Sequence, residues 1–296
     1  ELTAPMRDGT KLRADLYLPK GPGPWPTLIE RTPYNKETSV EVKVAKSPPY
    51  YATRGYAVVI QDIRGRHKSE GDFYAFHNDS WGANRDGYDT IEWLASQSWC
   101  NGKIGMIGGS YAGHTQYGTA PTRPPHLAAL FPRQSPANAF NGLVFKGGAF
   151  ELGIFLNWAI TQTRLNLPHL ASGTEKNRLE GLLSKTEKDM DSWYEYLPLA
   201  EMPLLRGLAN WYYDWLNHPT DGPFWWPISP NKQYTQVNVP VCHFGGWFDT
   251  FQQGTIDNFI GMSRGARAQH ARDSQKMIMV PWEHGPTSAH KTTVGE

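Results

Sequence analysis

The sequence predicts an α/β fold: a mostly parallel sheet with helices on both faces, carrying a helical cap inserted in its second half. Three observations support it. Short apolar runs and helix-like stretches alternate as strand, helix, strand, helix, strand up to Phe131, the pattern of a crossover-connected parallel sheet. From about residue 141 to 230 strand-like runs give way to helix-like stretches rich in aromatics, after which two strand-like runs resume. One strand-like run also leads through Lys103-Ile104-Gly105-Met106-Ile107 into Gly108-Gly109-Ser110-Tyr111-Ala112-Gly113-His114, a serine flanked by small residues. The expected organisation is a core segment over 1–140, a cap over 141–230 and a second core segment over 231–296.

Taken in order, Leu2 to Pro19 reads as a hairpin turning at Arg7-Asp8-Gly9-Thr10, with Leu12, Ala14, Leu16 and Leu18 at every second position. A Pro/Gly connector over 21–26 leads to a strand at Thr27–Arg31 and a loop at Thr32-Pro33-Tyr34-Asn35. A buried strand at Tyr56–Gln61 runs out into the polar loop Asp62–Gly71, whose mixed charges suit a hydrogen-bonded scaffold around Asp62 and Arg64. Helical spacing follows from Asn84 to Ser96, and Asn101-Gly102 turns the chain into the serine-bearing strand. Leu127–Phe131 is a further short strand.

In the cap region, helix-like spacing covers Phe150–Gln162 and Lys176–Lys188. Its aromatics, from Trp158 through Trp193, Trp211 and Trp215 to Trp226, are read singly as helical core and together as an apolar wall for a substrate pocket. The strands that resume are Val239–Phe244, leading through Gly245-Gly246-Trp247-Phe248 to Asp249, and Lys276–Val280, leading through Pro281-Trp282-Glu283 to His284.

Composition narrows the function classes. With 39% apolar and 19% charged residues in 296, the chain has a globular make-up and enough length for a large core. A net charge of +1 gives no reason to expect nucleic acid or an anionic membrane surface. Cys100 and Cys242 are too few for a disulfide framework or a zinc site, and both are expected as buried free thiols. No apolar stretch is long enough to span a membrane, and no secretory signal is visible. Because the chain opens at Glu1, a soluble cytoplasmic protein and one secreted after processing both fit.

The chemistry is carried by strand-end residues. Small residues around Ser110 have the form of a nucleophile elbow, although Ala112 stands where G-x-S-x-G has its second glycine and Gly113 comes one place later. On these residues alone the stretch fits an elbow or a flexible Gly-rich turn. Two further strands end near an acid and a histidine, so the chain order is Ser110, Asp249, His284, the order of α/β-hydrolases. A serine hydroxyl needs a base to take its proton, imidazole has a suitable pKa, and a carboxylate on the far nitrogen fixes the tautomer. His114 and His243 read as structural, and His67, His77, His126, His169, His218, His270 and His290 lack a strand-end context or an adjacent acid. No H-E-x-x-H or comparable spacing is present, so neither a metal nor a cofactor is expected.

Five motifs then fall in one order: Arg31-Thr32-Pro33-Tyr34-Asn35-Lys36, Val59-Ile60-Gln61-Asp62-Ile63-Arg64-Gly65 with Ser69-Glu70-Gly71, Gly108-Gly109-Ser110-Tyr111-Ala112-Gly113, Gly246-Trp247-Phe248-Asp249 and Pro281-Trp282-Glu283-His284-Gly285. Together they resemble the X-Pro dipeptidyl-peptidase and cocaine-esterase (CocE/NonD) family of serine hydrolases. The resemblance covers most of the chain outside the cap, and its G-x-S-Y-x-G form accounts for Gly113. It implies an α/β-hydrolase fold with Ser110 as nucleophile, Asp249 as orienting acid and His284 as base. It also implies an oxyanion hole made from the Tyr34 hydroxyl and the Tyr111 backbone N–H, a role that suits a phenol beside the elbow.

Two departures shape the expected function. Members usually continue into a C-terminal β-sandwich, which is expected to be absent from this chain because it stops at Glu296. The amino-acid ester hydrolase branch places acids after the catalytic Asp to hold a substrate ammonium, whereas Thr250-Phe251-Gln252 follow here. The expectation is a serine carboxylester hydrolase that forms an acyl-enzyme. Its alternatives are an amidase or acylase, such as one cleaving a β-lactam side chain, an X-Pro dipeptidyl-peptidase, and a non-catalytic ligand-binding module. Expected partners are a small ester or amide substrate and either a second copy of the chain or a separate β-sandwich region.

Overall fold

The computed structural model describes residues 1–39, 46–80 and 83–285. Strands β1 (Leu2–Pro5) and β2 (Lys11–Tyr17) form the expected hairpin. Its turn closes through Met6 and Thr10, and Gly9 takes a φ of +86° that its missing Cβ allows. Next come β3 (Trp25–Thr32), α1 (Ser47–Ala52), β4 (Ala57–Asp62), α2 (Asp86–Ala95), β5 (Cys100–Gly109), α3 (Tyr111–Thr119) and β6 (Leu127–Arg133). Every residue of β4 is buried, which explains its apolar run Ala57–Ile60.

An insertion between β6 and the last two strands holds a two-strand hairpin, β7 (Phe145–Lys146) and β8 (Ala149–Phe150), then α4 (Leu152–Leu170), α5 (Gly173–Lys188), α6 (Met190–Tyr194) and α7 (Asn210–Asn217). The chain returns through β9 (Cys242–Phe248), α8 (Gln252–Gly265), α9 (Gln269–Asp273) and β10 (Lys276–Glu283). No helix among the described residues is long and apolar enough to cross a membrane.

The main sheet has the order β1-β2-β4-β3-β5-β6-β9-β10, antiparallel at β1/β2 and β2/β4 and parallel thereafter. The carboxyl ends of β3, β5, β9 and β10 therefore lie along one edge, where α/β sheets present their loops. Ile29, Val59 and Met106 share an apolar cluster with Ile91 and Leu94 of α2, Tyr117 of α3 and Met262 of α8. Coverage is incomplete at the β9/β10 end, where Trp247, Phe248 and Ile278 remain exposed.

Three expectations change in detail. β9 starts at Cys242, because Pro240 offers only its carbonyl to the ladder, to Leu130 N–H. It then runs on through Gly245-Gly246 to Phe248, past the expected end at Phe244. A Cβ on Gly246 would lie 2.1 Å from the Trp282 carbonyl oxygen, and one on Gly245 would lie 2.9 Å from the Thr255 side chain, so these glycines permit close packing within a strand. Finally, Cys242 is half-buried, whereas Cys100 is buried and accepts a hydrogen bond from the Thr27 hydroxyl at 3.3 Å.

The polar loop after β4 is a scaffold, as expected, but its two centres act separately. Asp62 accepts the Lys36 N–H at 2.7 Å and so holds the loop after β3. Arg64 reaches Asp86 with two bonds of 2.9 and 2.7 Å and also Asp8 at 2.7 Å, tying the β1/β2 turn to the first turn of α2. Arg64→Met is expected to destabilise the fold by about 3–5 kcal/mol, because Asp86 would be left buried without its cation. The check is the denaturant midpoint, which should fall at unchanged m value.

Candidate active site

Ser110 sits at the turn between β5 and α3 with φ 56° and ψ −118°, a strained conformation that turns its hydroxyl out of the sheet edge. The flanking small residues have separate reasons. A Cβ on Gly108 would lie 2.7 Å from the Ala112 Cβ, and one on Gly113 would lie 2.9 Å from the Ser135 Cβ and 3.0 Å from the Arg133 carbonyl oxygen. Gly108 thus lets α3 fold back on its own strand, while Gly113 lets α3 approach the end of β6. Gln116 completes the turn: its amide N–H donates to the Gly108 carbonyl at 3.1 Å and its oxygen accepts from the Phe131 N–H at 3.1 Å.

The structure brings Ser110, Asp249 and His284 together. His284 Nδ1 lies 2.7 Å from Asp249 Oδ1, and Nε2 lies 3.0 Å from Ser110 Oγ. A carboxylate only accepts, so Nδ1 donates to Asp249 and Nε2 is the nitrogen turned to the serine hydroxyl. Asp249 is buried and accepts a second bond, from the Phe251 N–H at 2.9 Å. The Phe251 ring stands edge-on to the imidazole at 5.0 Å.

Tyr34 follows β3 at the same edge. Its hydroxyl accepts a hydrogen bond from Trp158 Nε1 of α4 at 3.2 Å. Burial raises its pKa, which keeps the phenol protonated at neutral pH, while the N–H of Trp158 and the nearby Ser110 hydroxyl oppose that rise. Tyr111 is the first residue of α3, so its backbone N–H has no partner within the helix. Its side chain plays a different part: the Tyr111 hydroxyl accepts the Phe76 N–H at 2.7 Å, and the ring stacks on Phe76.

A cavity of about 240 Å³ opens beside these groups. Tyr34, Phe76, Leu143, Phe155, Trp158 and Phe251 supply its apolar lining, and among the described residues no Asp or Glu lines it. Of the cap aromatics, only Phe155 and Trp158 reach it. Trp211, Tyr212, Trp215 and Trp225 are buried in an apolar cluster that the cap shares with Ile63, Phe76 and Tyr111, so the reading as core holds for them. At the rim, Lys146 donates to the Thr250 hydroxyl at 2.9 Å and lies 3.8 Å from Glu151.

The other histidines are placed elsewhere or spent. His114 hydrogen-bonds the Ile228 carbonyl at 2.8 Å, and His243 lies between Tyr117 and Gln275 at 2.7 and 2.9 Å. Burial pushes both down to about 4. His126 does have a carboxylate, Glu92 at 2.7 Å, but precedes β6 at the opposite end of that strand from the serine. His290 lies outside the described residues. Among the described residues no group of His, Cys, Asp and Glu side chains is arranged to hold a metal.

Two supporting residues escaped the sequence reading. Gln134 donates to the Glu283 carbonyl at 2.7 Å and accepts from the Gly285 N–H at 3.4 Å, clasping the chain on both sides of His284. Buried Arg66 donates to the Pro33 carbonyl at 3.0 Å and to the Gln162 carbonyl at 3.0 Å. It thereby fastens the Tyr34 loop to α4.

Residues 8–286 match the model of the X-Pro dipeptidyl-peptidase family, S15. The chain belongs to that family. It is 33% identical to the cocaine esterase of Rhodococcus sp. (strain MB1 Bresler) over 285 residues, covering 95% of this chain and 48% of the esterase. Among solved structures, it superposes with a TM-score of 0.71 on an aminopeptidase from a marine sediment Thaumarchaeota archaeon, at 25% identity over 96% of this chain and 48% of that one. An alpha-amino acid ester hydrolase gives 0.68 at 26% identity, over 97% of this chain and 48% of that one. A CocE/NonD family hydrolase from Staphylococcus aureus gives 0.70 at 21% identity, over 95% and 45%, and shares the fold. The family resemblance carried by the five sequence motifs is thus borne out, and the chain spans about half the length of these relatives.

Proposed function

We infer that this chain carries the catalytic centre of a serine hydrolase that cleaves carboxylic esters through an acyl-enzyme. The observation that carries the reading is the hydrogen-bonded series Ser110, His284, Asp249 at 3.0 and 2.7 Å, set on three parallel strand ends. The kinship with a cocaine esterase and an alpha-amino acid ester hydrolase supports the reaction class.

In this reading Ser110 Oγ attacks the ester carbonyl carbon as its proton passes to His284 Nε2, and Asp249 stabilises the imidazolium. The carbonyl oxygen becomes an oxyanion that takes hydrogen bonds from the Tyr34 hydroxyl and the Tyr111 N–H. Collapse expels the alkoxide, which takes the proton from His284 and leaves as alcohol. Water then enters, gives a proton to His284, attacks the acyl carbon and releases the acid with Ser110 restored. The apolar cavity would take the acyl group.

Matched p-nitrophenyl esters and p-nitroanilides of one acyl group test the reaction class. The expected result is a higher kcat/KM on the ester. A clear preference for the anilide would favour an amidase.

The rim makes a second prediction. Lys146 stands by Thr250 with Glu151 as its partner, and among the described residues no carboxylate lines the cavity to hold a substrate ammonium. A neutral phenylacetate ester is expected to exceed the matching α-ammonium ester by about tenfold or more in kcat/KM. Equal values, measured side by side at low salt, would contradict this.

A further inference from the structure

We propose that Trp158 is a positioning residue for the oxyanion site: its indole N–H, donating to the Tyr34 oxygen, fixes the direction in which Tyr34 gives its own proton. The proposal rests on the ester-hydrolase reading and assigns the cap a part in the chemical step.

The direction of the bond is unambiguous, because an indole nitrogen donates and never accepts. At 3.2 Å from Trp158 Nε1, the Tyr34 oxygen is therefore the acceptor. A phenol has one proton, and that proton must point away from an incoming N–H. The remaining direction opens toward the elbow, because Tyr34, Ser110 and Tyr111 line one cavity beside the indole. An N–H donated to a phenol oxygen also polarises its O–H, so Tyr34 becomes the stronger donor to a developing oxyanion.

The indole has little freedom to turn. It stacks on Phe76 at 5.6 Å and 13°, and on Trp215 at 6.1 Å and 22°, with Trp211 edge-on at 5.4 Å. Trp215 is fully buried in the cap core. Arg66 holds the other partner in register, bonding the Pro33 carbonyl beside Tyr34 and the Gln162 carbonyl one turn beyond Trp158 on the same helix. The buried aromatics of the cap thus serve the reaction by aligning one N–H, beyond lining a pocket.

A double-mutant cycle tests this, with p-nitrophenyl acetate as substrate so that pocket filling contributes least. Trp158→Phe is expected to lower kcat about tenfold with KM within about twofold, and to add less than about twofold in a Tyr34→Phe background. Two results would overturn the proposal: unchanged kcat in Trp158→Phe, or a loss that multiplies onto Tyr34→Phe with coupling below about threefold. Installing 3-benzothienylalanine at position 158 keeps the bicyclic ring and replaces the N–H by sulfur, so the same loss is expected if Trp158→Phe does not fold. The single Tyr34→Phe variant separates the two readings. If it costs nothing, the oxyanion assignment fails along with this proposal; if it costs activity and Trp158 does not couple, only the positioning role fails.

Discussion

Ser110→Ala is expected to reduce ester turnover at least about ten-thousandfold while leaving the fold intact. The size of the effect follows from the loss of the attacking atom, since binding and oxyanion contacts alone leave only a small residual rate. Retention of the fold follows from the site. Ser110 has φ 56°, a conformation that strains alanine about as much as serine, and the removed oxygen bonds to His284, itself partly exposed. Thermal unfolding of the variant alongside its kinetics checks both halves. Substantial remaining turnover in a folded variant would remove Ser110 from the nucleophile's role.

Tyr34→Phe is expected to cost roughly a hundredfold or more in kcat, the range for loss of one oxyanion donor. KM should change little, because the bond strengthens as charge develops on the oxygen. Trp158 would be left with an unsatisfied N–H, a ground-state cost borne equally by free and bound enzyme. A fall of less than about threefold in kcat would reassign the phenol to packing against Tyr111, whose ring lies edge-on at 6.5 Å.

The parts of the fold legible in the sequence are those set by local pattern. β4 is buried on both faces and reads as an apolar run over Ala57–Ile60, and the Asp8-Gly9 turn announces the first hairpin. The strand-end positions of Ser110, Asp249 and His284 follow from strands that local apolarity finds. Contacts between distant segments were not legible. Gly113 looked misplaced in the elbow because its reason is Arg133, at the end of the next strand, and Ser135 just beyond it. Gln134, Arg66 and Trp158 act across 149, 96 and 124 residues of chain, and no periodicity relates such positions. β9 outruns its expected end at Phe244 for the same cause, since closeness to Trp282 and Thr255 requires glycine at 245 and 246.

The most direct test of the central claim is intact-mass and peptide mapping after reaction with a fluorophosphonate, a reagent that phosphonylates serines activated by a neighbouring base. The expected result is one adduct per chain on the peptide carrying Ser110, absent from Ser110→Ala and from His284→Ala. A folded wild-type chain that takes no adduct, or an adduct that persists in Ser110→Ala, would contradict the assignment of Ser110, His284 and Asp249 as a working triad.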